Sequence, residues 1–354
     1  MEATMYDYYL SQGEYLERIL QTREACLGPF ADLYTKHKPD RIYLIGSGTS
    51  YHACNSARDF IEALLHIEVS VLAPSMCGRL YGERPLALAV SQGGRSTNTL
   101  ALISRLQGQG IPAATLSYSL ETPVAQAGDC PLVLDVDNET AGPKTRGYTG
   151  TVLALYLAAL GAARKSGTLD EGALASQLGG LKESISYMKE NQESCAAFFL
   201  GHREALKEAN HYIFTGKGPA SAAGSESALK ELETLCYPAS AYDFEEFLHG
   251  PVCCLDPGTA LFIYLSHDED SERMIRLSRI AGGATKNVYL ISYDDSLKGD
   301  KILNLKAQDP YYHAPFSAVL PGQYLSATLP EAFGRARHSA VKDIFADMDT
   351  KVPV

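Results

Sequence analysis

Short runs of hydrophobic residues alternate with amphipathic stretches along the whole chain. Stretches such as Ala53–His66, Thr97–Gln109 and Ser271–Ala281 have the spacing of helices that bury one face. Alternation of strands and helices predicts an α/β fold, with parallel sheets flanked by helices on both faces. The predicted strands are Ile42–Gly46, Val69–Ala73, Pro85–Ser91, Pro112–Tyr118, Cys130–Val136, Tyr212–Gly216, Ala260–Leu265, Val288–Ser292 and Ile302–Leu305, with a weaker candidate at Ser240–Tyr242.

The two halves of the chain repeat one pattern. Each half opens with a strand that ends in a glycine turn, IYLIGSGTS at residues 42–50 and YIFTGKGPAS at residues 212–221. A helix and further strands follow each turn, so the pattern predicts a duplicated domain whose copies have diverged. We predict a leading helix over residues 1–34, a first domain over 35–168, a helical connector over 169–207, a second domain over 208–335 and a tail over 336–354.

Composition narrows the class of partner. The net charge of −11 over 354 residues argues against a nucleic-acid-binding protein, which needs a basic surface. The N-terminal sequence MEATMYDYYL lacks an apolar signal core, and the apolar stretch 152–163 is too short to span a membrane. A cytoplasmic location is therefore expected, with no membrane partner. The eight cysteines are scattered without a CxxC pair and are interpreted as buried free thiols.

Two glycine turns are the first candidate site. Both follow predicted strands and precede predicted helices, where backbone amides and hydroxyls can bind a phosphate. A helix cap is the alternative interpretation of either turn alone. The sequence has no GxGxxG, no P-loop and no HExxH, so neither a dinucleotide nor a metal is expected. The candidate substrate-binding residues in the turns are Ser47, Gly48, Thr49, Ser50, Ser91, Gln92, Gly93 and Ser96.

A second candidate site lies in residues 224–251, GSESALKELETLCYPASAYDFEEFLHGP. Lys230 and Glu233 are three residues apart on a predicted helix, and His249 lies in a Leu-His-Gly-Pro turn. Glutamate as a base, histidine as a proton donor and lysine as a charge partner or amine would suit sugar-phosphate chemistry. From spacing alone, a surface salt bridge and a structural histidine are the alternative interpretation.

Four segments together resemble the sugar isomerase (SIS) domain proteins: IYLIGSGTSYHACNSARDFIE, AVSQGGRSTNTL, NETAGPKTRGYTGTVLAL and SALKELETLCYPASAYDFEEFLHGP. The pattern is most similar to the isomerase half of glucosamine-6-phosphate synthase and its stand-alone relatives. The resemblance runs from about residue 35 to the tail. It implies two tandem flavodoxin-like SIS domains, a homodimer with an active site shared between subunits, and no cofactor.

The resemblance also implies roles for particular residues. Glu233 corresponds to the glutamate that moves a proton between sugar C1 and C2, and Lys230 to the lysine that supports the open-chain hydroxyls. His249 corresponds to the ring-opening histidine of the partner subunit, and Lys351 to a lysine of the C-terminal tail. Two substitutions in the second turn depart from the usual pattern, because Gly93 replaces a serine and Ser96 a threonine. The loop at Gly142 and Lys144 carries more charge than usual, which predicts contact with an acidic or larger substrate.

The retained Glu233, Lys230 and His249 favour an enzyme over a regulator. Because no glutaminase domain is found, glutamine-driven synthesis is not expected of this chain alone. The resemblance implies an isomerase or deaminase of amino-sugar 6-phosphates, placing the chain in amino sugar metabolism. A fructosamine-6-phosphate deglycase is the first alternative, since residues 246–251 read Glu-Phe-Leu-His-Gly-Pro as in those proteins. A non-catalytic regulator that senses sugar phosphates is the second alternative.

Overall fold

Ten strands form two separate five-stranded parallel sheets in the computed structural model, which describes residues 3–333, 345, 348 and 350–353. Most of the predicted tail lies outside the described residues. The first sheet contains β1 (Arg41–Ile45), β2 (Glu68–Leu72), β3 (Pro85–Val90), β4 (Ala113–Ser117) and β5 (Cys130–Val133). The second sheet contains β6 (His211–Gly216), β7 (Ala239–Asp243), β8 (Thr259–Tyr264), β9 (Asn287–Ser292) and β10 (Ile302–Asn304).

Both sheets have the same strand order. The first sheet runs β2-β1-β3-β4-β5, and the second runs β7-β6-β8-β9-β10 when it is read from its β7 edge. This is the flavodoxin-like order. The first and third strands in chain order are neighbours in the sheet, and the connections that follow them lead to opposite sides; we call this place the reversal point. The predicted α/β fold with two tandem flavodoxin-like domains is confirmed. Each of the ten predicted strands, including the weaker candidate at residues 240–242, overlaps an observed strand.

Thirteen α-helices are found in the described part of the chain. The predicted leading helix is two helices, α1 and α2, and the predicted connector consists of α7 and α8. The helices are α1 (Met5–Leu10), α2 (Gln12–His37), α3 (Thr49–Leu65), α4 (Thr97–Gly108), α5 (Pro123–Ala127), α6 (Arg146–Ser166), α7 (Glu171–Ser186), α8 (Met188–Glu208), α9 (Gly218–Thr234), α10 (Phe244–Leu248), α11 (Ser271–Ala281), α12 (Ala314–Ala318) and α13 (Leu320–Ala332). Two short 3-10 helices cover Pro74–Met76 and Pro251–Cys254.

The chain divides into two compact units. The first-sheet unit comprises residues 11–182 and 341–354, and the second-sheet unit comprises residues 1–10 and 183–340. The division at residues 182 and 183 therefore falls inside the predicted connector, and the leading segment divides between the two units at residues 10 and 11. Each unit contains one complete sheet, so each is described on its own below.

Central strands are buried on both sides, because helices cover both faces of each sheet. Every residue of β4, β8 and β9 is buried. In the first-sheet unit, the apolar stretch at 152–163 lies within α6, which packs against α2 and α3 and stacks Tyr156 on Phe60. None of the described helices combines the length and the apolar character needed to cross a membrane.

The prediction of buried thiols is wrong for three cysteines. Cys54, Cys77, Cys130 and Cys195 are buried and Cys26 is half-buried, but Cys236, Cys253 and Cys254 are exposed. The apolar run that contains the adjacent pair does not continue as a strand, because Pro251 begins a short surface 3-10 helix there. Within the described residues, no group of three or more histidine, cysteine, aspartate or glutamate side chains is arranged to hold a metal ion.

Candidate functional site

The first glycine turn lies at the reversal point of the first sheet. Strands β1 and β3 pair in parallel, so the turns that follow them leave the same edge of the sheet. Gly46 permits the tight exit from β1, since a Cβ there would lie 2.8 Å from the backbone of Ser50. Gly48 has a φ of 54° and caps α3. Exposed Ser47 and the first amides of α3 therefore face the crevice where ligands bind in such folds.

The second glycine turn is joined to the first by a side chain that sequence analysis did not single out. Asn98 Nδ2 donates to Ser47 Oγ at 3.3 Å, and Asn98 Oδ1 accepts a hydrogen bond from Ser96 Oγ. Thr99 Oγ1 in turn donates to Ser96 Oγ at 3.0 Å. One predicted hydroxyl from each turn, Ser47 and Ser96, thus belongs to one hydrogen-bonded group. Ser50 and Ser91 lie buried within the same turns.

A short piece of the C-terminal tail pairs with the second turn. Lys351 forms an antiparallel bridge with Ser96, and the amide of Val352 donates to the carbonyl of Arg95 at 3.0 Å. Arg95 Nε returns a hydrogen bond to the carbonyl of Val352 at 2.8 Å. The structure therefore places the backbone of Lys351 beside one of the predicted phosphate-binding hydroxyls, while its side chain is exposed.

Gln92 and the loop before α6 form the inner wall of the turn. The side chain of Gln92 donates to the carbonyl of Gly147 at 2.7 Å and to Thr151 Oγ1 at 3.1 Å, so it anchors α6. Lys144 Nζ donates to the carbonyl of Glu139, within its own loop. Gly142 is exposed at the tip of this loop. The loop therefore uses its lysine internally, and contact of Lys144 with a substrate stays a prediction.

Glu139 organises this loop from the inside. Its buried carboxylate accepts the amide of Thr145 at 2.9 Å and the amide of Gly147. Burial raises the pKa of Glu139, and the amide of Thr145 and the charge of Lys144 partly oppose that rise. The start of α6 is thereby fixed on both sides of Gly147, whose amide donates to Glu139 and whose carbonyl accepts from Gln92.

The acid–base residues of the second-sheet unit form a three-membered charge group on α9. Lys230 is completely buried, and its Nζ lies 3.3 Å from Glu226 Oε1 and 2.5 Å from Glu233 Oε2. Glu226 is also completely buried, whereas 39% of the Glu233 side chain is exposed. One end of the group is therefore locked in the core, and the other presents a carboxylate to solvent.

The alternative interpretation of Lys230 as half of a surface salt bridge is wrong, because its side chain is completely buried. Burial alone would lower the pKa of Lys230, but the two neighbouring carboxylates outweigh burial and raise it. The arrangement favours the role of charge partner over that of amine for Lys230, and both roles stay predictions. Its partner Glu233 is held in a fixed orientation by the 2.5 Å contact.

Glu233 and His249 lie toward opposite edges of the second sheet. Helix α9 begins where β6 ends and runs back along the sheet for 17 residues, roughly 25 Å, so Glu233 in its last turn is near the strand starts. His249 is exposed and follows α10, which begins where β7 ends. The second-sheet unit does not place the two side chains side by side, and a role for His249 in a partner subunit stays a prediction.

The reversal point of the second sheet is filled by charged side chains. Lys217 takes the place of Ser47 in the repeated turn, and its Nζ contacts Asp268 at 2.7 Å and Asp270 at 2.5 Å. Both aspartates follow β8, the strand equivalent to β3. Tyr311 packs so closely on Gly218 that a Cβ there would lie 2.7 Å from the phenol oxygen. The repeated turn therefore carries an ion-paired lysine and a packed tyrosine where the first turn carries an exposed serine.

Three residues were missed in the sequence: Asn98, Glu139 and Glu226. Glu226 had a detectable signal, because it lies four residues before Lys230 and seven before Glu233 on one helical face. Asn98 lies inside the quoted motif AVSQGGRSTNTL, but its spacing carries no sign that it bridges two turns. Glu139 lies in a segment without hydrophobic periodicity. Only the structure shows that its carboxylate accepts amides at the start of α6.

Comparison with known proteins supports the resemblance. Residues 36–161 match the SIS domain family. Glutamine–fructose-6-phosphate aminotransferase (isomerizing) of Oceanobacillus iheyensis is 28% identical over 302 residues, which cover 81% of this chain and 48% of that enzyme. The Bacillus subtilis enzyme of the same name is 26% identical over 293 residues, again 81% of this chain and 48% of the enzyme. The chain thus spans about half the length of these curated relatives.

Solved structures extend the similarity to the whole chain. A Clostridium difficile protein provisionally named a phosphosugar isomerase is 25% identical, with a TM-score of 0.89 over 99% of both chains. A Salmonella typhimurium protein provisionally named a sugar-binding protein is 29% identical, with a TM-score of 0.80 over 91% of this chain and 99% of that chain. Because residues 36–161 match the SIS domain family, the resemblance predicted from the motifs is confirmed.

Proposed function

We propose that the chain is a phosphosugar isomerase or deaminase that acts on an amino-sugar 6-phosphate, such as glucosamine 6-phosphate. The observation that carries the proposal is the charge group on α9, in which buried Lys230 orients the half-exposed carboxylate of Glu233. The names of the curated relatives, which combine a phosphosugar with an isomerisation, support the same class of substrate.

In the proposed reaction, Glu233 moves a proton between C1 and C2 of the open-chain sugar. A carboxylate removes the proton from the carbon next to the carbonyl and returns it to the neighbouring carbon. The ammonium of Lys230 holds the carboxylate and stabilises negative charge that develops in the enediol-like transition state. For the amino sugar, transfer to C1 gives an imine at C2, which water hydrolyses to fructose 6-phosphate and ammonia.

The first-sheet turns are proposed to bind the phosphate without a cofactor. Ser47, Ser50, Ser91 and Ser96 provide hydroxyls, and the start of α3 provides the positive end of the helix dipole. An acidic chain can hold a phosphate this way because the donors are local and do not need a basic surface. Lys351, whose backbone pairs with Ser96, is proposed to add a cation from the tail.

His249 is proposed to open the sugar ring in the active site of a partner subunit. Two features support a role in trans: the exposed position of His249, and its location toward the sheet edge opposite to Glu233. The proposal therefore includes a homodimer in which each active site contains residues of both subunits.

The first experiment replaces Glu233 by glutamine. We expect Glu233→Gln to lower turnover of glucosamine 6-phosphate by about 10²–10⁴-fold, because the general base is lost. Glu204→Gln is the matched control, since Glu204 forms an exposed i,i+3 pair with Lys207 on α8 of the same unit. Ammonia release and solvent deuterium uptake at the sugar carbons measure the proton transfer. Normal turnover and uptake by Glu233→Gln would overturn the proposal.

A second experiment tests the shared site. Glu233→Gln and His249→Ala subunits, each inactive alone, are mixed and allowed to exchange. If the active site is shared, heterodimers regain up to one functional site each, and ammonia release returns. A verified heterodimer without activity would contradict the role of the partner.

The fructosamine-6-phosphate deglycase alternative rests on residues 246–251, Glu-Phe-Leu-His-Gly-Pro. Incubation with fructosamine 6-phosphates distinguishes the two activities by product. Free amino acid indicates the deglycase, and ammonia alone from glucosamine 6-phosphate indicates the deaminase. Binding of both compounds without either product would favour the phosphosugar-sensing regulator.

A further inference from the structure

A cationic cavity lies in the first-sheet unit, at the edge of the sheet where β3 and β4 begin. Its volume is 640 Å³, and it is lined by Pro85 and Pro112 at the starts of these strands. The glycine turns leave the opposite edge, where β1 and β3 end. The cavity is therefore separate from the proposed phosphate-binding turns.

Three arginines from two segments of the chain converge on this cavity. Arg79 and Arg84 belong to the loop before β3, and Arg105 lies in the last turn of α4. Glu83 is the acidic side chain among the lining residues, and it is 87% exposed, with a carboxylate oxygen 3.7 Å from Arg84. The lining thus carries an excess of positive charge in a chain whose net charge is −11.

Two of the arginines are held in place by backbone carbonyls. Arg84 Nε donates to the carbonyl of Lys38 at 2.7 Å, and Arg105 donates to the carbonyl of Cys77. Each guanidinium has five N–H donors, so backbone anchoring fixes its plane and leaves further donors available. Asp40 accepts the amides of Glu83 and Arg84 at 2.8 and 2.9 Å, which fixes the loop backbone.

Arg79 is the least constrained of the three. Its guanidinium lies 5.8 Å from the ring centroid of Tyr81, and no carboxylate of the described residues lies within ion-pair distance of it. An arginine fork matches the oxygens of a phosphate in two-point geometry. Leu80 and Ile111 line the same cavity and give it an apolar wall next to the cations.

We propose that this cavity binds a small phosphorylated molecule with at least two negative charges, at a site distinct from the glycine turns of the same unit. The arginines would bind the phosphate oxygens, and Leu80, Ile111 and the prolines would contact the organic part. The volume lies within the usual range for small-molecule sites, roughly 300–1,000 Å³. Three arginines in a concave pocket suit a small anion better than the extended backbone of a nucleic acid.

The test uses inorganic pyrophosphate as the probe and the full chain with Ser47→Asp. The added carboxylate at the exposed Ser47 repels anions from the glycine turns, so that binding there does not mask the second site. Calorimetric titration at low ionic strength should show saturable binding of one pyrophosphate per chain. Absence of saturable binding by the folded protein would overturn the proposal.

Charge reversal then locates the bound anion. In the same background, Arg79→Glu should weaken pyrophosphate binding by about tenfold or more, because it replaces an attractive charge by a repulsive one. Arg276→Glu is the matched control, an exposed arginine on α11 of the second-sheet unit, and should change binding by less than about twofold. Equal weakening by both changes would show non-specific attraction and would contradict the site.

A neutral substitution provides an independent readout. Arg105→Gln keeps a side chain that can donate to the carbonyl of Cys77 and removes the charge. In the Ser47→Asp background it should weaken pyrophosphate binding by about threefold to tenfold. In the chain with native Ser47, the same substitution should leave glucosamine 6-phosphate turnover within about twofold. Unchanged pyrophosphate binding in Arg105→Gln and Arg79→Glu together would overturn the assignment, whatever the outcome for the proposed catalytic activity.

Discussion

The two sheets share one strand order but use their reversal points in opposite ways. In the first sheet the turns expose hydroxyls and amides, joined through Asn98, and the helix that follows buries alanine, cysteine and serine. In the second sheet Lys217 and two aspartates fill the equivalent turns, and the following helix buries a lysine and two glutamates.

The difference shows how one fold can supply two chemistries after duplication. The position that favours ligands is a property of the strand order, and both sheets inherit it. Whether that position is open depends on a few side chains, here Ser47 in one copy and Lys217 in the other. The second copy carries its candidate chemistry at Lys230 and Glu233 on α9, near the strand starts, rather than at the crevice.

The largest effect on stability is expected from substitution within the buried charge group of α9. We expect Lys230→Met to lower the free energy of unfolding by about 3–5 kcal/mol, because Glu226 would remain buried without its cation. Lys207→Met removes the lysine of an exposed i,i+3 pair in the same unit and should cost less than about 1 kcal/mol. Urea unfolding at neutral pH measures both. Equal costs would show that burial of the group does not matter to stability.

The open turn of the first sheet should be the most sensitive point for binding. Ser47→Asp is expected to weaken binding of fructose 6-phosphate by about 100-fold, because a carboxylate would face the phosphate. Ser104→Asp adds the same charge at an exposed position of α4 and should leave affinity within about twofold. Titration calorimetry distinguishes them. Retained affinity in Ser47→Asp would place the phosphate elsewhere.

Glu231 is a buried carboxylate on the same helix, and its replacement measures how much such a group lowers stability. It is completely buried, and burial raises its pKa well above the usual range, a rise that the neighbouring Ser326 hydroxyl partly opposes. A raised pKa means that the folded state binds more protons than the unfolded state, so stability falls as the pH rises above about 4.3, the usual glutamate value. Glu231→Gln should therefore be more stable than the parent by about 1–3 kcal/mol at pH 8.

The same variant should gain little at pH 4, where the carboxyl is protonated in the folded state and mostly protonated in the unfolded state. Thermal unfolding across this pH range provides the comparison. Glu226→Gln is the control, because loss of the partner of Lys230 should destabilise the protein at pH 8. A gain that does not depend on pH would contradict titration of Glu231 as the cause.

Substitution of Lys217, at the reversal point of the second sheet, should change stability less. Partial burial opposes ionisation of Asp268, but hydrogen bonds from Lys217 and Ser266 prevail and lower its pKa to about 2. A lowered pKa gives stability that is present above the unfolded value, near 3.9, and is lost as the pH falls toward 2. Lys217→Ser should reduce this acid dependence and cost no more than about 1 kcal/mol at neutral pH, because the pair is partly exposed.

Lys217→Ser also asks whether the second turn can be opened. It makes the turn read Gly-Ser-Gly as in the first copy, but Asp268 and Asp270 remain. We therefore expect no new phosphate binding by calorimetry. Appearance of a second phosphate site would show that Lys217 alone closes the crevice.

The smallest effect is expected where the first copy departs from the family pattern. A Cβ at Gly93 would meet no atom within 4 Å, so Gly93→Ser should fold without strain and supply the missing hydroxyl. We expect it to bind fructose 6-phosphate about threefold more tightly, within the range of one hydrogen bond. Gly94→Ser is the contrasting control, because its φ of 63° and its contact with Thr122 exclude a side chain. An unchanged affinity in Gly93→Ser would place that hydroxyl away from the phosphate.

Sequence patterns predicted the architecture well because buried parallel strands leave hydrophobic runs and the duplicated turns repeat in order. They predicted less about the environment of individual side chains. Lys230 and Glu233 have the spacing of a surface pair, and only packing of α9 shows that the lysine is buried. The opposite difference occurs at Cys253 and Cys254. Their apolar run predicts burial, but it forms a short 3-10 helix at the surface that begins at Pro251. Burial of charge depends on contacts between distant segments, which local periodicity does not encode.

The charge group on α9 has a consequence for how such a chain can diverge. Because Lys230 and Glu226 are both buried, loss of Lys230 leaves Glu226 uncompensated in the core, whereas replacement of the whole group by apolar residues of similar size can be neutral. Stability alone therefore favours retention of these residues, until several positions change together. Retention of this group in a related sequence is for that reason weak evidence for the proposed activity.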